Sequence, residues 1–177
     1  MIRKLLFLFL AISIVSCGSS RKTTSSRKSS KSTTVVRKTS KKEKVHRETF
    51  NKADAIVETA MAYKGTRYKF GGTDRKGMDC SGLTYTAFGM HHVELPRISY
   101  QQATKGKRIQ LSAVQKGDLL FFQTNKNRKR INHVGLVVSH KSGVIQFIHS
   151  TTSKGVLVSS LKERYWKEAF TEARRVL

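Results

Sequence analysis

Apolar positions along the chain fall into four regimes. The first is a continuous run from Leu5 through Leu6, Phe7, Leu8, Phe9, Leu10, Ala11 and Ile12 to Val15. At about eleven residues it is too short to cross a bilayer and has the length of an export signal. The second, residues 18–46, is Ser, Thr, Lys and Arg nearly throughout, with little apolar material and no Phe, Tyr or Trp. The third has helical spacing. Ala53, Ile56, Val57, Ala60 and Met61 form one stripe, which predicts a helix capped by Asn51 and stopped at Gly65. Leu83, Ala87 and Met90 mark a second helix, with Asp79 as its N-cap. Ser99-Tyr100-Gln101-Gln102 has the form of a capping box that opens a short third helix, closed near Gly106. In the fourth regime short β-rich runs take over: 118–122, 133–138, 144–149, 156–158 and 171–176. Helices first and strands afterwards predict an α+β domain over residues 47–177, with the helices packed on an antiparallel sheet.

Charge changes this picture mainly in the second regime. The chain carries 35 Lys+Arg against 11 Asp+Glu, a net charge of +24. Such a balance favours an anionic membrane surface, an acidic polymer or nucleic acid as partner. Residues 18–46 cannot bury enough surface to offset their ordering entropy, so they are expected to form a disordered basic tether. A flexible coil of that length spans roughly 30 Å on average and at most about 100 Å extended. Nucleic acid is set aside as a partner, because the chain begins with an export signal and the basic stretch has no base-stacking rings. The domain is expected to be monomeric.

The two cysteines, Cys17 and Cys80, stand in different contexts, so no disulfide is expected. Ile14-Val15-Ser16-Cys17 ends the first apolar run and resembles a bacterial lipobox. That resemblance implies removal of residues 1–16 as a signal peptide and lipidation of Cys17, palmitate included, which would anchor the chain to a membrane of the cell envelope. Gly18 follows, not an acidic residue. By resemblance to enteric lipoproteins this implies the outer membrane, facing the periplasm.

Cys80 follows a glycine-rich loop, Phe70 to Gly77, and opens the helix that Asp79 caps. Unpaired N–H groups and the helix dipole favour an anion there, and a thiolate is an anion. The plainer alternative is a small buried residue at a helix start. His133 and His149 bear on the choice. A hairpin turn centred on Lys141 would put them directly opposite one another on the same sheet face, close enough for their rings to hydrogen-bond. A base held by a second polar group is what an activated thiol needs. Two unrelated edge histidines are the alternative. A zinc site of Cys80, His133 and His149 lacks a fourth ligand at recognisable spacing, so no metal or other cofactor is expected. His46, His91, His92, His140 and Asp74 fall in linker or loop contexts and read as solvated.

With Cys, His and His in this order, the chain resembles the NlpC-type papain-like cysteine peptidases, in particular the Spr-type murein endopeptidase lipoproteins. The matching stretches are Tyr68-Lys69-Phe70-Gly71-Gly72, Asp79-Cys80-Ser81-Gly82, Glu94-Leu95-Pro96-Arg97, Gly117-Asp118-Leu119, His133-Val134-Gly135, Phe147-Ile148-His149-Ser150 and the end from Glu172 to Leu177. The resemblance implies a papain-like fold. It makes Cys80 the nucleophile, His133 the base and His149 the orienting third residue. It implies that Tyr68, Asp79 and Ser81 contact substrate. The substrate it implies is a peptidoglycan stem peptide, cut at D-Ala-to-diaminopimelate cross-links, with the D-glutamyl-diaminopimelate bond as the alternative and a non-catalytic wall-binding lipoprotein on the same fold as the more distant one.

Overall fold

The computed structural model describes residues 34–125 and 130–177, without the side chains of residues 34–41 and Phe50. Cys17 and the apolar run before it lie outside the described residues. The elements in chain order are α1 (Thr34–Ala62), β1 (Thr73–Asp74), β2 (Gly77–Met78), α2 (Cys80–Gly89), α3 (Ser99–Gln102), β3 (Lys107–Ile109), β4 (Leu119–Phe122), β5 (His133–Lys141), β6 (Val144–Thr151), β7 (Gly155–Ser160), α4 (Arg164–Ala169) and β8 (Phe170–Arg175). Six strands form one antiparallel sheet in the order β3-β8-β4-β5-β6-β7.

Strand alternation sends apolar residues to both faces of this sheet. On one face Leu119, Phe121, Val134, Leu136 and Ile148 pack with Ile56, Val57 and Ala60 of α1 and Leu83, Ala87 and Phe88 of α2. On the other, Leu120, Phe122, Val137, Phe147 and Ala173 pack with Trp166 of α4. Strand β4 therefore reads Leu-Leu-Phe-Phe with no polar position: it is central and covered on both sides.

Three local expectations are corrected. The tether expected through residue 46 is helical from Thr34, and Asn51 lies inside α1 rather than capping it. The extension is held locally, by an i,i+4 Lys44–Glu48 pair and by the Thr49 hydroxyl on the Val45 and His46 carbonyls, while residues 42–48 stay exposed. Ser99 is not a cap, for the N-cap position is Ile98 and no side chain bonds there. Gln102 does not reach back to Ser99. Its buried amide donates to the Ser81 and Pro96 carbonyls, and its oxygen accepts from Thr84, which ties α3 to α2. Met90 is the C-cap of α2 and is exposed; Thr84 and Phe88 fill the buried face instead.

The β5–β6 hairpin also differs in register. Its turn is the two-residue Ser142-Gly143, with φ of 49° and 71°, the left-handed pair of a tight hairpin. Leu136 pairs with Ile148 and Val137 with Phe147, with a bulge before Ser139. Extended by one step, this register sets His149 across from Gly135, not from His133.

Candidate active site

Asp79 is the centre of the loop that presents Cys80. Its Oδ1 accepts from the Gly82 N–H (2.7 Å), the Ser81 hydroxyl (3.2 Å) and Arg97 Nη1 (2.9 Å). Its Oδ2 accepts from the Gly71 N–H and from Arg97 Nη2, each at 2.7 Å. Five donors thus fill a carboxylate that has about four lone-pair sites. Arg97 also donates to the Gly72 carbonyl and the Ser81 hydroxyl, so one guanidinium joins the glycine loop to the start of α2. Burial opposes the charge on Asp79, but the Arg97 and backbone hydrogen bonds outweigh it and hold the carboxyl below its ordinary value. The residue is buried and engaged as a cap and clamp.

Cys80 stands at the first position of α2, partly exposed, with a free thiol. Backbone N–H groups of Val134, Ser81 and Cys80 itself favour its thiolate. The expected depression of its pKa is not seen. Desolvation is the largest influence and pushes the thiol up to about 11, against those N–H groups and with the Asp79 charge. Helix-start stabilisation is real but smaller than the cost of burying a charge.

The two histidines meet although they are not directly paired. His133 Nε2 lies 2.9 Å from His149 Nδ1, with the rings at 88°. The contact is diagonal. It is possible because the register differs from the expected one by an even step, which keeps both residues on one face. Trp166 packs against both, stacked on His133 and edge-on to His149, with Phe147 beside His149. Burial pulls His133 down to about 4, opposed by the Asp79 charge. It pulls His149 to about 3, helped by the charge on His133. At neutral pH the site therefore holds a neutral thiol and two neutral imidazoles.

This has a consequence for stability. Each histidine titrates lower in the folded chain than its ordinary 6.5, so its contribution is complete above pH 6.5 and is lost as pH falls towards 4. The urea midpoint is expected to be lower at about pH 5 than at about pH 7.5, with the slope unchanged. An equal midpoint at both would contradict burial of the neutral pair. Asp79 acts in a separate, lower window, below 3.8.

Tyr68 is half-buried and bridges to Met78 in the chain just before Cys80. Burial, then the Cys80 and Asp79 charges, raise its pKa against the pull of Arg97, so its phenol stays protonated and able to donate. Ser81 is buried and bonded to Asp79 and Arg97. Across the sheet, the buried Ser150 hydroxyl donates to the Met78 carbonyl (2.7 Å), which fastens the histidine strand to the cysteine loop. Arg97 and Ser150 lie in stretches that carry the resemblance but are given no role by it, and Trp166 has no signal in the sequence; the folded chain brings all three to the site. Two histidines read as solvated have partners: His91 bonds Thr59, and His140 bonds the Val114 carbonyl. Among the described residues no cluster of three or more His, Cys, Asp or Glu could hold a metal ion.

A groove of about 460 Å³ is lined by Tyr100, Gln123, Arg130, Ile131, Glu172 and Arg174 and includes none of Cys80, His133 or His149. Arg130 stacks on Tyr100 at 4.4 Å. A larger groove of about 590 Å³, between α1 and the turn before β4, includes none of Tyr68, Asp79, Cys80, Ser81, His133 or His149.

The NlpC/P60 family profile matches residues 65–175. The chain belongs to the NlpC/P60 family. It is 40% identical over 123 residues to the murein DD-endopeptidase MepS/murein LD-carboxypeptidase of Escherichia coli K12, covering 69% of this chain and 62% of that one. It is 34% identical over 124 residues to a γ-D-glutamyl-L-lysine dipeptidyl-peptidase of Bacillus subtilis, covering 70% of this chain and 40% of that protein. The matched region thus spans less than two thirds of these relatives. Among solved structures, an NlpC/P60 family protein from Bacillus cereus aligns with a TM-score of 0.64 at 31% identity, over 71% of this chain and 40% of its own. The α+β, papain-like arrangement read from the sequence is the one these relatives share.

Proposed function

We propose that this NlpC/P60 chain is a thiol-dependent peptidoglycan endopeptidase. The observation that carries the reading is the bonded His133–His149 pair on the adjacent strands β5 and β6, with β6 tied by the Ser150 hydroxyl to the Met78 carbonyl two residues before Cys80. In this reading the Cys80 thiol gives its proton to His133 as the sulfur attacks a peptide carbonyl. With thiol and imidazole both neutral at rest, proton transfer and attack go together. Backbone N–H groups at the start of α2 and the Tyr68 phenol stabilise the oxyanion. The imidazolium of His133 then protonates the leaving amine, and water releases the acyl group from the sulfur. His149 orients His133. Ser81 and Tyr68 border the substrate, and Asp79 acts on it indirectly, through the loop it clamps. No cofactor or metal takes part.

The bond favoured is the D-Ala-to-diaminopimelate cross-link, supported by the likeness to a murein DD-endopeptidase at 40% identity. The D-glutamyl-diaminopimelate bond is the second reading, favoured by the likeness to a γ-D-glutamyl-L-lysine dipeptidyl-peptidase. Arg130 and Arg174 in the smaller groove, and the net charge of +24, suit a substrate rich in carboxylates. The lipobox-like end of the first apolar run supports attachment through lipidated Cys17, and Gly18 after it supports the outer membrane, facing the periplasm.

The test is a digest. The full chain is incubated with purified diaminopimelate-type peptidoglycan, and the products are identified by chromatography and mass spectrometry. Loss of cross-linked dimers with gain of intact tetrapeptide monomers supports the first bond. Truncated dipeptide stems support the second. Unchanged muropeptides would overturn the proposal.

A further inference from the structure

The proton arrangement of the histidine pair is set one strand further out. His149 uses Nδ1 towards His133; its other ring nitrogen, Nε2, lies 3.0 Å from Ser159 Oγ. Ser159 is buried on β7, where its register partner is Phe147 and not His149. This contact is diagonal, like the one before it. His133, His149 and Ser159 come from three adjacent strands and form a hydrogen-bonded row on one face of the sheet.

A neutral imidazole has one N–H and one bare nitrogen, so each bond in the row dictates the next. In the proposed reaction the Cys80 thiol is the proton donor, and the backbone N–H groups of Val134 and Ser81 favour the thiolate it leaves. His133 has Nε2 committed to His149, so a proton from the thiol must go to a bare Nδ1. Nε2 of His133 then carries the hydrogen and donates it to a bare Nδ1 on His149. His149 in turn carries its hydrogen on Nε2, and a buried N–H needs an acceptor. Ser159 Oγ is the atom placed to accept it. With the row reversed, Ser159 would donate to His149, His149 to His133, and Nδ1 of His133 would hold a hydrogen and no longer be a base.

We propose that Ser159 is a positioning residue: its hydroxyl oxygen accepts the His149 Nε2–H and through that ring holds His133 in the Nε2–H tautomer that leaves Nδ1 open to the Cys80 thiol. The proposal rests on the reading of Cys80 and His133 as nucleophile and base. Nothing in it requires Ser159 to touch substrate.

The test compares the full chain as wild type, Ser159→Ala and Ser159→Thr, the last of which keeps a hydroxyl at the same carbon. Nitrogen-15 spectra of the imidazoles report each tautomer without substrate, and amide spectra report the fold. A purified cross-linked muropeptide dimer gives kcat and KM. Wild type should show Nε2–H on both rings. Ser159→Ala should move His149 towards Nδ1–H and lower kcat about tenfold, the rate equivalent of one neutral hydrogen bond, with KM within about twofold. Ser159→Thr should recover both signals. A wild-type His149 that carries its hydrogen on Nδ1 overturns the proposal. So does a folded Ser159→Ala with wild-type tautomers and unchanged kcat. Should Ser159→Ala fail to fold, the wild-type and Ser159→Thr ring spectra decide. A wild type that cleaves nothing refutes the functional reading, while the ring spectra still judge the role of Ser159.

Discussion

Cys80→Ala is expected to remove at least about 10³-fold of the turnover on cross-linked peptidoglycan, because the neighbouring Ser81 hydroxyl is buried and bonded to Asp79 and Arg97 and does not replace the thiol as acyl carrier. Cys80→Ser should be equally silent. Its hydroxyl fits the same space, but two neutral imidazoles that bind protons only near pH 4 and 3 are weak bases towards an alcohol. The fold should survive both changes. The thiol is partly exposed, and the bonds that shape its loop belong to Asp79, Arg97 and Ser150 rather than to the sulfur. Melting temperatures within a few degrees of wild type, alongside the lost activity, are the expected pair of results. Residual cleavage by either variant at the wild-type rate would show that the thiol is not the nucleophile.

How far the site could be read from the sequence depended on the range of each interaction. Asp79, Cys80, Ser81 and Gly82 are contiguous, so the cap and the helix start follow from local chemistry. His133 and His149 needed only parity: any even register shift keeps both on one face, and the real shift is even. What parity does not give is the partner across the strand. The turn was expected at Lys141 and is at Ser142-Gly143, and the bulge before Ser139 moves the pairing again. The rings bond diagonally past Gly135, a geometry no spacing rule contains. Ser159 lies one strand further and shares only odd numbering with the histidines, as many exposed residues do. The strand β3 went unread because Lys107-Arg108-Ile109 is a polar edge strand whose bonds go to β8, far along the chain. Helix α4 went unread for a similar reason: only Trp166 of its residues is buried, and one anchor makes no period. The thiol's raised pKa was hidden for a different reason. A helix start is visible in sequence, whereas the desolvation of the sulfur by the folded chain is not.

Gly82→Ala should be damaging out of proportion to its one methyl. A Cβ at Gly82 would fall within the Gly72 carbonyl oxygen, and would also meet Arg97 Nη2 at 3.0 Å and Asp79 Oδ1 at 3.1 Å. The first of these is backbone, so it cannot rotate out of the way. Either the glycine loop moves off α2, or the helix start moves off the loop. Both motions pull at bonds that set the position of Cys80: the Gly82 N–H to Asp79, the Arg97 fork, and the Gly71 N–H. Overpacking of this kind costs about 3 kcal/mol when the neighbour is rigid. A displacement of about 1 Å at a nucleophile costs about 10²-fold in rate. Gly89→Ala is the matched control. It is the last residue of the same helix, with nothing within 4 Å of an added Cβ, and alanine there should raise stability by about 0.5 kcal/mol and leave cleavage unchanged. The comparison separates two reasons for a glycine in α2. If Gly82→Ala melts like Gly89→Ala and still cleaves, the loop yields to the methyl, and the close seat of Gly82 against Gly72 is not what fixes the thiol. If it loses both stability and turnover, the glycine after Cys80-Ser81 is there because the loop carbonyl occupies the space a side chain would need, and that seat sets the direction of the sulfur towards the histidine strand.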